Sequence, residues 1–315
     1  MILRSSHERE RGGLTVAITR RRLLVGGAAA VALAGAGAGG AGLAVEGGLL
    51  PGRSTLYRAL GLDGAPGHVP GTQPGPLVSG HFTSKARLGA SVGWTIAYPP
   101  GSAPGDRLPV AVVLHGYSED HTDAFGRRLG LEHFLAQDHA RGGTPFALAA
   151  VDGGDTYWHR RVTGEDAGAL VTDEFVPMLA ARGLDTRRIG LLGWSMGGYG
   201  ALHLAGRLGA ARVASVVAES PALWHQASQA ASIAFDGAAD FARSGVMGRQ
   251  QELDGIPVRV DCGTGDAFCP AARDYVAGFD AADHPAGGFE PGAHDMAYWR
   301  RMAPAQLAFA GARFA

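Results

Sequence analysis

Gly193-Trp194-Ser195-Met196-Gly197 separates two stretches of opposite character. Before it, Arg188-Ile189-Gly190-Leu191-Leu192 is a short apolar run of strand type. After it, Gly198-Tyr199-Gly200-Ala201-Leu202-His203-Leu204-Ala205 has helix-forming composition. A serine at such a strand-to-helix turn is held clear of the backbone, and the flanking glycines relieve the crowding that the turn creates. In a chain with 50 glycines the pentapeptide alone is a weak signal. Its setting makes it a candidate nucleophile elbow, with Ser195 as nucleophile and the Met196 N–H, at the helix start, as a donor to an oxyanion.

Outward from the elbow, apolar runs alternate with helix-like runs. Trp94-Thr95-Ile96-Ala97-Tyr98, Val110-Ala111-Val112-Val113-Leu114, Phe146-Ala147-Leu148-Ala149-Ala150-Val151, Val213-Ala214-Ser215-Val216-Val217 and Val258-Arg259-Val260-Asp261 read as strands. Residues 123–139, 167–182 and 296–310 read as helices. Continuous apolar strands separated by helices predict an α/β fold, a mostly parallel central sheet with helices on both faces. No internal repeat interrupts residues 78–315, which read as one domain. Residues 46–77 form a Pro/Gly-rich connector, expected to be a loosely held leader.

Residues 1–45 read as a targeting segment. Arg20-Arg21-Arg22 precedes an uncharged stretch from Leu23 to Val45, and paired arginines before a mildly apolar run resemble a twin-arginine export signal. A membrane anchor is the alternative for an uncharged stretch of this length. An extracytoplasmic location, secreted or in the cell envelope, is therefore expected. The chain of 315 residues is 46% hydrophobic and 18% charged with a net charge of −1, so nothing points to nucleic acid or another polyanion as a partner. Cys262 and Cys269 are the only cysteines. An oxidising destination makes a disulfide between them the expectation, and two cysteines supply too few ligands for a metal site.

An elbow serine needs a base and an acid, and in this architecture they follow it in the chain as Ser, acid, His, on loops at the carboxyl ends of strands. Asp266 lies just after the strand ending at Asp261. His294 lies in Pro291-Gly292-Ala293-His294-Asp295, before the last helix. Ser195 would attack an acyl carbonyl, His294 would carry the proton, and Asp266 would orient the imidazole. Glu219 and Asp261, each at or beside a strand end, are rival acids. The second oxyanion donor is expected after the Leu114 strand in His115-Gly116-Tyr117-Ser118, as the Tyr117 N–H, with His115 ordering that loop.

Leu114-His115-Gly116, the elbow continued as Gly198-Tyr199-Gly200, and His294-Asp295 followed by Tyr298-Trp299-Arg300 together resemble the esterase D-like family. Its relatives include S-formylglutathione hydrolases, feruloyl esterases and mycolyltransferases. The resemblance spans roughly residues 78–312. It implies an α/β-hydrolase fold and ester or thioester acyl chemistry without a cofactor. It also implies that Asp155-Thr156-Tyr157-Trp158-His159 borders the acyl pocket, which directs attention to Trp158, His159, Trp194 and Trp224. Trp194 stands where relatives often carry a smaller residue. The stretch 220–255, with Trp224, Phe235, Phe241 and Met247, lies where hydrolases insert cap elements, although the same residues suit a core.

The expected activity is that of an exported serine carboxylesterase acting on a small-molecule, lipid or sugar ester. An acyltransferase of mycolyltransferase type shares the acyl-enzyme but passes the acyl group to a sugar or alcohol. A non-catalytic cell-envelope binding protein and a peptidase on the same scaffold are the readings from other classes.

Overall fold

The computed structural model describes residues 53–315, which form one compact unit. The export-signal reading of 1–45 and the first part of the connector lie outside the described residues. The strands are β1 (Leu77–Ser84), β2 (Ala90–Ala97), β3 (Pro109–Leu114), β4 (Ala147–Val151), β5 (Asp185–Trp194), β6 (Val213–Glu219), β7 (Val258–Gly263) and β8 (Ala286–Glu290). The helices are α1 (Arg53–Ala59), α2 (Leu131–Ala140), α3, α4 (Met196–Leu208), α5 (Ala238–Ser244), α6 (Cys269–Ala277) and α7 (Met296–Gly311). Helix α3 starts at Ala167–Ala169, widens to a π-helix over Leu170–Phe175 and returns to α geometry over Val176–Ala181.

One sheet holds all eight strands in the order β1-β2-β4-β3-β5-β6-β7-β8. From β4 to β8 every pairing is parallel, whereas β1 and β2 add an antiparallel edge. This is the mostly parallel α/β sheet that the alternating runs predicted, in the α/β-hydrolase arrangement that the family resemblance implied. Strand periodicity shows why β3 is apolar throughout. Val110, Val112 and Leu114 pack with α3 and α4 on one face, while Ala111 and Val113 pack with α2 and α7 on the other.

Two local expectations are corrected, and one left open is decided towards the core. The predicted helix over 123–139 is helical only from Leu131, because Gly126 (φ 62°) and Gly130 (φ 73°) adopt left-handed backbone that an α-helix cannot continue through. The connector is not loose from residue 53 onward. Gly67 N–H donates to Ala297 O (2.7 Å), Tyr98 N–H to Pro76 O (2.9 Å), and the His133 ring bonds Thr72 O (2.8 Å). Within 220–255, Phe235 is buried and Trp224, Phe241 and Met247 pack partly buried against the larger core cluster, with α5 as the one α-helix of the stretch. Among the described residues no helix is long and apolar enough to cross a membrane.

The elbow is the tightest backbone approach in the fold. A Cβ on Gly197 would stand 1.9 Å from Leu114 O, and one on Gly193 would stand 2.3 Å from Gly197 O. Leu114 belongs to the sheet and Gly197 to the first turn of α4, so neither carbonyl can retreat cheaply. Gly197→Ala is therefore expected to destabilise the protein by about 1–3 kcal/mol or more, as overpacking of a rigid interior does. A lower urea midpoint at unchanged slope would register it; an unchanged midpoint would contradict the contact.

Candidate active site

The parallel strands β3, β5, β7 and β8 end on one side of the sheet, and the segments after them carry the candidate residues. β5 runs into Ser195, which has φ 54° and ψ −118°. A non-glycine residue is rarely held there, and such strain is tolerated where its surroundings fix it. Here the Ser195 N–H donates to Glu219 O (2.9 Å), and the Ser195 carbonyl accepts from the N–H groups of Tyr199 (3.1 Å) and Ala222 (3.0 Å). The turn is locked from β6 and from its own helix.

Asp266 follows β7 and is fully buried. One oxygen accepts from the Phe268 N–H (2.9 Å), and the other lies 2.7 Å from His294 Nδ1. His294 Nε2 lies 2.9 Å from Ser195 Oγ. The imidazole is held edge-on between Phe268 (ring centroids 5.4 Å apart) and Trp299 (5.1 Å). Its neighbour Asp295 caps α7, accepting from the N–H groups of Ala297 and Tyr298. Burial favours the neutral ring, but the facing charges of Asp266, Glu119 and Asp295 and the Asp266 bond outweigh it and raise the His294 pKa. Asp266 accepts at Nδ1, so Nδ1 carries a proton and Nε2 is left to accept from the serine hydroxyl. Such a series can take the hydroxyl proton as the oxygen attacks an electrophilic carbon.

The rival acids lie elsewhere. Asp261 is gripped by Arg259 (2.7 and 2.8 Å) and by Gln306 (3.0 Å). Glu219 is sealed beneath the elbow, where burial pushes its carboxyl well above the ordinary range and favours the neutral form. Only Asp266 reaches the imidazole.

At the β3 end, His115 Nδ1 bonds Gly116 O (2.7 Å) and Nε2 accepts from the Gly153 N–H (3.0 Å). Burial lowers its pKa, so the ring is neutral and orders the loop, as expected from the sequence. The Gly116 N–H is taken up by Glu119 (3.0 Å). The Tyr117 and Met196 N–H groups have no acceptor among the described residues.

Of the four residues singled out around an acyl pocket, three are closed off from solvent. Trp158 is fully buried and donates to His115 O (3.3 Å). Trp194 is buried and donates to Glu119 (2.5 Å). His159 is buried against Tyr199 and Asp240. Trp224 alone is half-buried, and it stacks edge-on with Phe268 (5.4 Å). Phe268, Trp299 and Glu119 were not foreseen. Their signals were slight: an aromatic two residues after the acid, an aromatic five after the histidine, and an acid three residues after Gly116.

The expected disulfide is corrected as well. Cys262, in β7, and Cys269, opening α6, are both buried thiols and are not joined in a disulfide. They bond side chain to side chain as thiols, and Cys269 also receives the Arg273 guanidinium (3.4 Å). With both sulfurs packed beside Ala272, the acid loop is braced by packing and by Gly265 N–H donation to Gly292 O (2.8 Å) rather than by a covalent link.

The fold and this side-chain series define an α/β-hydrolase-type protein. Residues 85–309 match the family model described as "Putative esterase", and the chain belongs to that esterase family. No curated protein sequence matches it. Among solved structures, it is similar to a ferulic acid esterase (21% identity, TM-score 0.65), covering 76% of this chain and 99% of that one. It is similar also to FphF, a fluorophosphonate-binding serine hydrolase of Staphylococcus aureus (19%, TM-score 0.59, 75% and 98% covered). An S-formylglutathione hydrolase from Agrobacterium tumefaciens is a third (15%, TM-score 0.59, 77% and 96% covered). At these identities the likeness is one of fold.

Burial raises the Cys262 thiol pKa well above its ordinary value, which leaves little thiolate to react. Neither cysteine should therefore react with a disulfide reagent such as dithionitrobenzoate in folded protein, and both should react in denaturant. A protein with no titratable thiol in denaturant would restore the disulfide.

Proposed function

We propose that this chain is an exported serine carboxylesterase that works through an acyl-enzyme. The observation that carries the reading is the unbroken series Ser195 Oγ–His294 Nε2 (2.9 Å) and His294 Nδ1–Asp266 Oδ2 (2.7 Å). Ser195 Oγ attacks the ester carbonyl while its proton passes to His294 Nε2. The imidazolium returns that proton to the departing alkoxide or thiolate. Water then attacks the acyl-serine with His294 again as base, and the serine is regenerated. Asp266 holds the ring in the required tautomer and stabilises its charged form. The amides of Met196 and Tyr117, which have no acceptor among the described residues, donate to the developing oxyanion. The half-buried Trp224 and Phe268, which meet edge-on with Phe268 beside His294, form an aromatic wall for the acyl group. Export rests on Arg20-Arg21-Arg22 and the uncharged stretch that follows.

Fluorophosphonate labelling that disappears in Ser195→Ala, together with turnover of p-nitrophenyl esters, is the expected outcome. Well-folded protein that neither labels nor turns over would leave the binding-protein reading standing. Product analysis with a sugar acceptor present separates hydrolase from transferase: free acid alone supports the hydrolase, and an acylated sugar overturns it.

The pH profile provides a second check. Because His294 must be neutral to act and its pKa is raised, kcat/KM should fall on acidification at a pH above that of an ordinary imidazole. Asp266→Asn should cost on the order of 10⁴ in kcat and move that limb to lower pH. An Asp266→Asn variant of near-normal kcat would remove Asp266 from the series.

A further inference from the structure

The structure assigns to Glu119 a positioning role that no motif announced: one carboxylate fixes the two backbone segments that carry the oxyanion donors. The inference rests on the proposed roles of Ser195, Met196 and Tyr117. Glu119 Oε2 accepts from the Gly116 N–H (3.0 Å) and from the Trp194 indole N–H (2.5 Å). Gly116 immediately precedes Tyr117, and Trp194 immediately precedes Ser195 and Met196. A single oxygen thus ties the loop after β3 to the elbow after β5. Gly116 is required for that approach, since a Cβ there would stand 2.5 Å from Glu119 Oε2 and 3.1 Å from Trp194 Nε1.

The other oxygen leads to the third element of the site. Oε1 lies 3.5 Å from Arg128 Nη2, and Arg128 also pairs with Asp123 (2.7 Å). The carbonyls of Arg127 and Arg128 are bound in turn by Arg300 of α7, the helix that His294 precedes. Glu119 is largely buried. Burial raises its pKa, while the Trp194 and Gly116 bonds and Arg128 act in the opposite direction and Asp123 adds to the rise. As an anion, Glu119 satisfies two donors that would otherwise be unpaired, and its charge is one of three, with Asp266 and Asp295, that favour protonated His294. The tryptophan before the serine thereby has a purpose. It supplies the N–H by which the end of β5 is tied to the neighbouring loop.

Positioning and charge can be separated by two substitutions. Glu119→Ala removes both bonds and the charge; Glu119→Gln keeps a carbonyl oxygen for the two donors and removes only the charge. Each would be assayed on p-nitrophenyl acetate across pH, with kcat counted per fluorophosphonate-labelled site so that misfolded protein does not enter. Glu119→Ala should lose about tenfold or more in kcat with little change in KM, the scale expected when an oxyanion donor is displaced. Glu119→Gln should recover most of that kcat, yet its kcat/KM acid limb should move to lower pH, because one anion facing His294 is gone. If Glu119→Ala does not fold, Trp194→Phe removes one of the two donors at constant charge, and should lower kcat with the acid limb unmoved. A kcat per labelled site in Glu119→Ala or Trp194→Phe within about twofold of the parent overturns the strap, as does an unmoved acid limb in Glu119→Gln. Absence of Ser195 labelling in the parent protein would instead remove the esterase reading on which the strap depends.

Discussion

Everything at the candidate site depends on a backbone that runs closer to its neighbour than side chains normally permit. Helix α4 starts so near the end of β3 that residue 197 has no room for a Cβ, and the turn before it holds Ser195 at φ 54°. Such a turn persists only when its surroundings over-determine it. Here they do: the Ser195 N–H and C=O are both committed to partners outside the turn, and the sheet pins both flanking strands. The strain places a hydroxyl above the strand ends with almost no freedom to move. A base and an acid can then be placed against it with bonds of 2.9 and 2.7 Å.

The remaining parts of the site are held by the same means, polar groups anchored from behind by other elements. His294 stands between two aromatic rings, and one of them, Trp299, donates to Ser220 Oγ (3.1 Å). Asp266 is fixed by the Phe268 amide in the loop that opens α6. His115 braces its loop against Gly153, and Trp158 braces it from below. Large aromatics lie beneath the site rather than in it, which is why so few of those singled out from the sequence are open to solvent. They shape the loops whose backbone and small side chains meet the reacting atoms.

What could be read in the sequence follows from range. The strand–turn–helix at 188–205 is local, and so is the order of serine, acid and histidine, because a parallel sheet translates chain order into strand order. The apolar strands β3 to β7 were legible because both faces are buried. The edge strand β1, Leu77–Ser84, was not, because its exposed positions carry Leu, Ser, His and Thr and its inward ones include Gly80 and Ser84, so no apolar run marks it. The helix over 123–139 was overextended because its composition masks two glycines that the fold uses in left-handed geometry. Residues 60–76 carry loop composition yet pack on the helices, through single backbone bonds such as Gly67 to Ala297 that no periodicity encodes. Glu119 was missed for a related reason, since its partners lie three residues back and seventy-five residues on, and only the fold makes them neighbours.

The position of the acid shows how one backbone bond can decide the assignment. An acid at the end of β6 would be nearer in sequence to the serine, and Glu219 stands there. But the Ser195 N–H takes the Glu219 carbonyl as its acceptor, which draws the end of β6 beneath the elbow and carries the Glu219 side chain into the interior with it. Burial, with Asp261 and Asp266 adding to it, biases that carboxyl towards its neutral form. A neutral acid cannot stabilise an imidazolium. The next strand offers Asp261, but its two oxygens are already spent on Arg259 and Gln306 in the interior. The chain must therefore continue past β7 into a tight turn, where Gly265 packs against Gly292 of the histidine loop, before a carboxylate can face His294 Nδ1. The bond that locks the strained serine thus turns the nearest acid inward, and Asp266 is the carboxylate that meets His294 Nδ1.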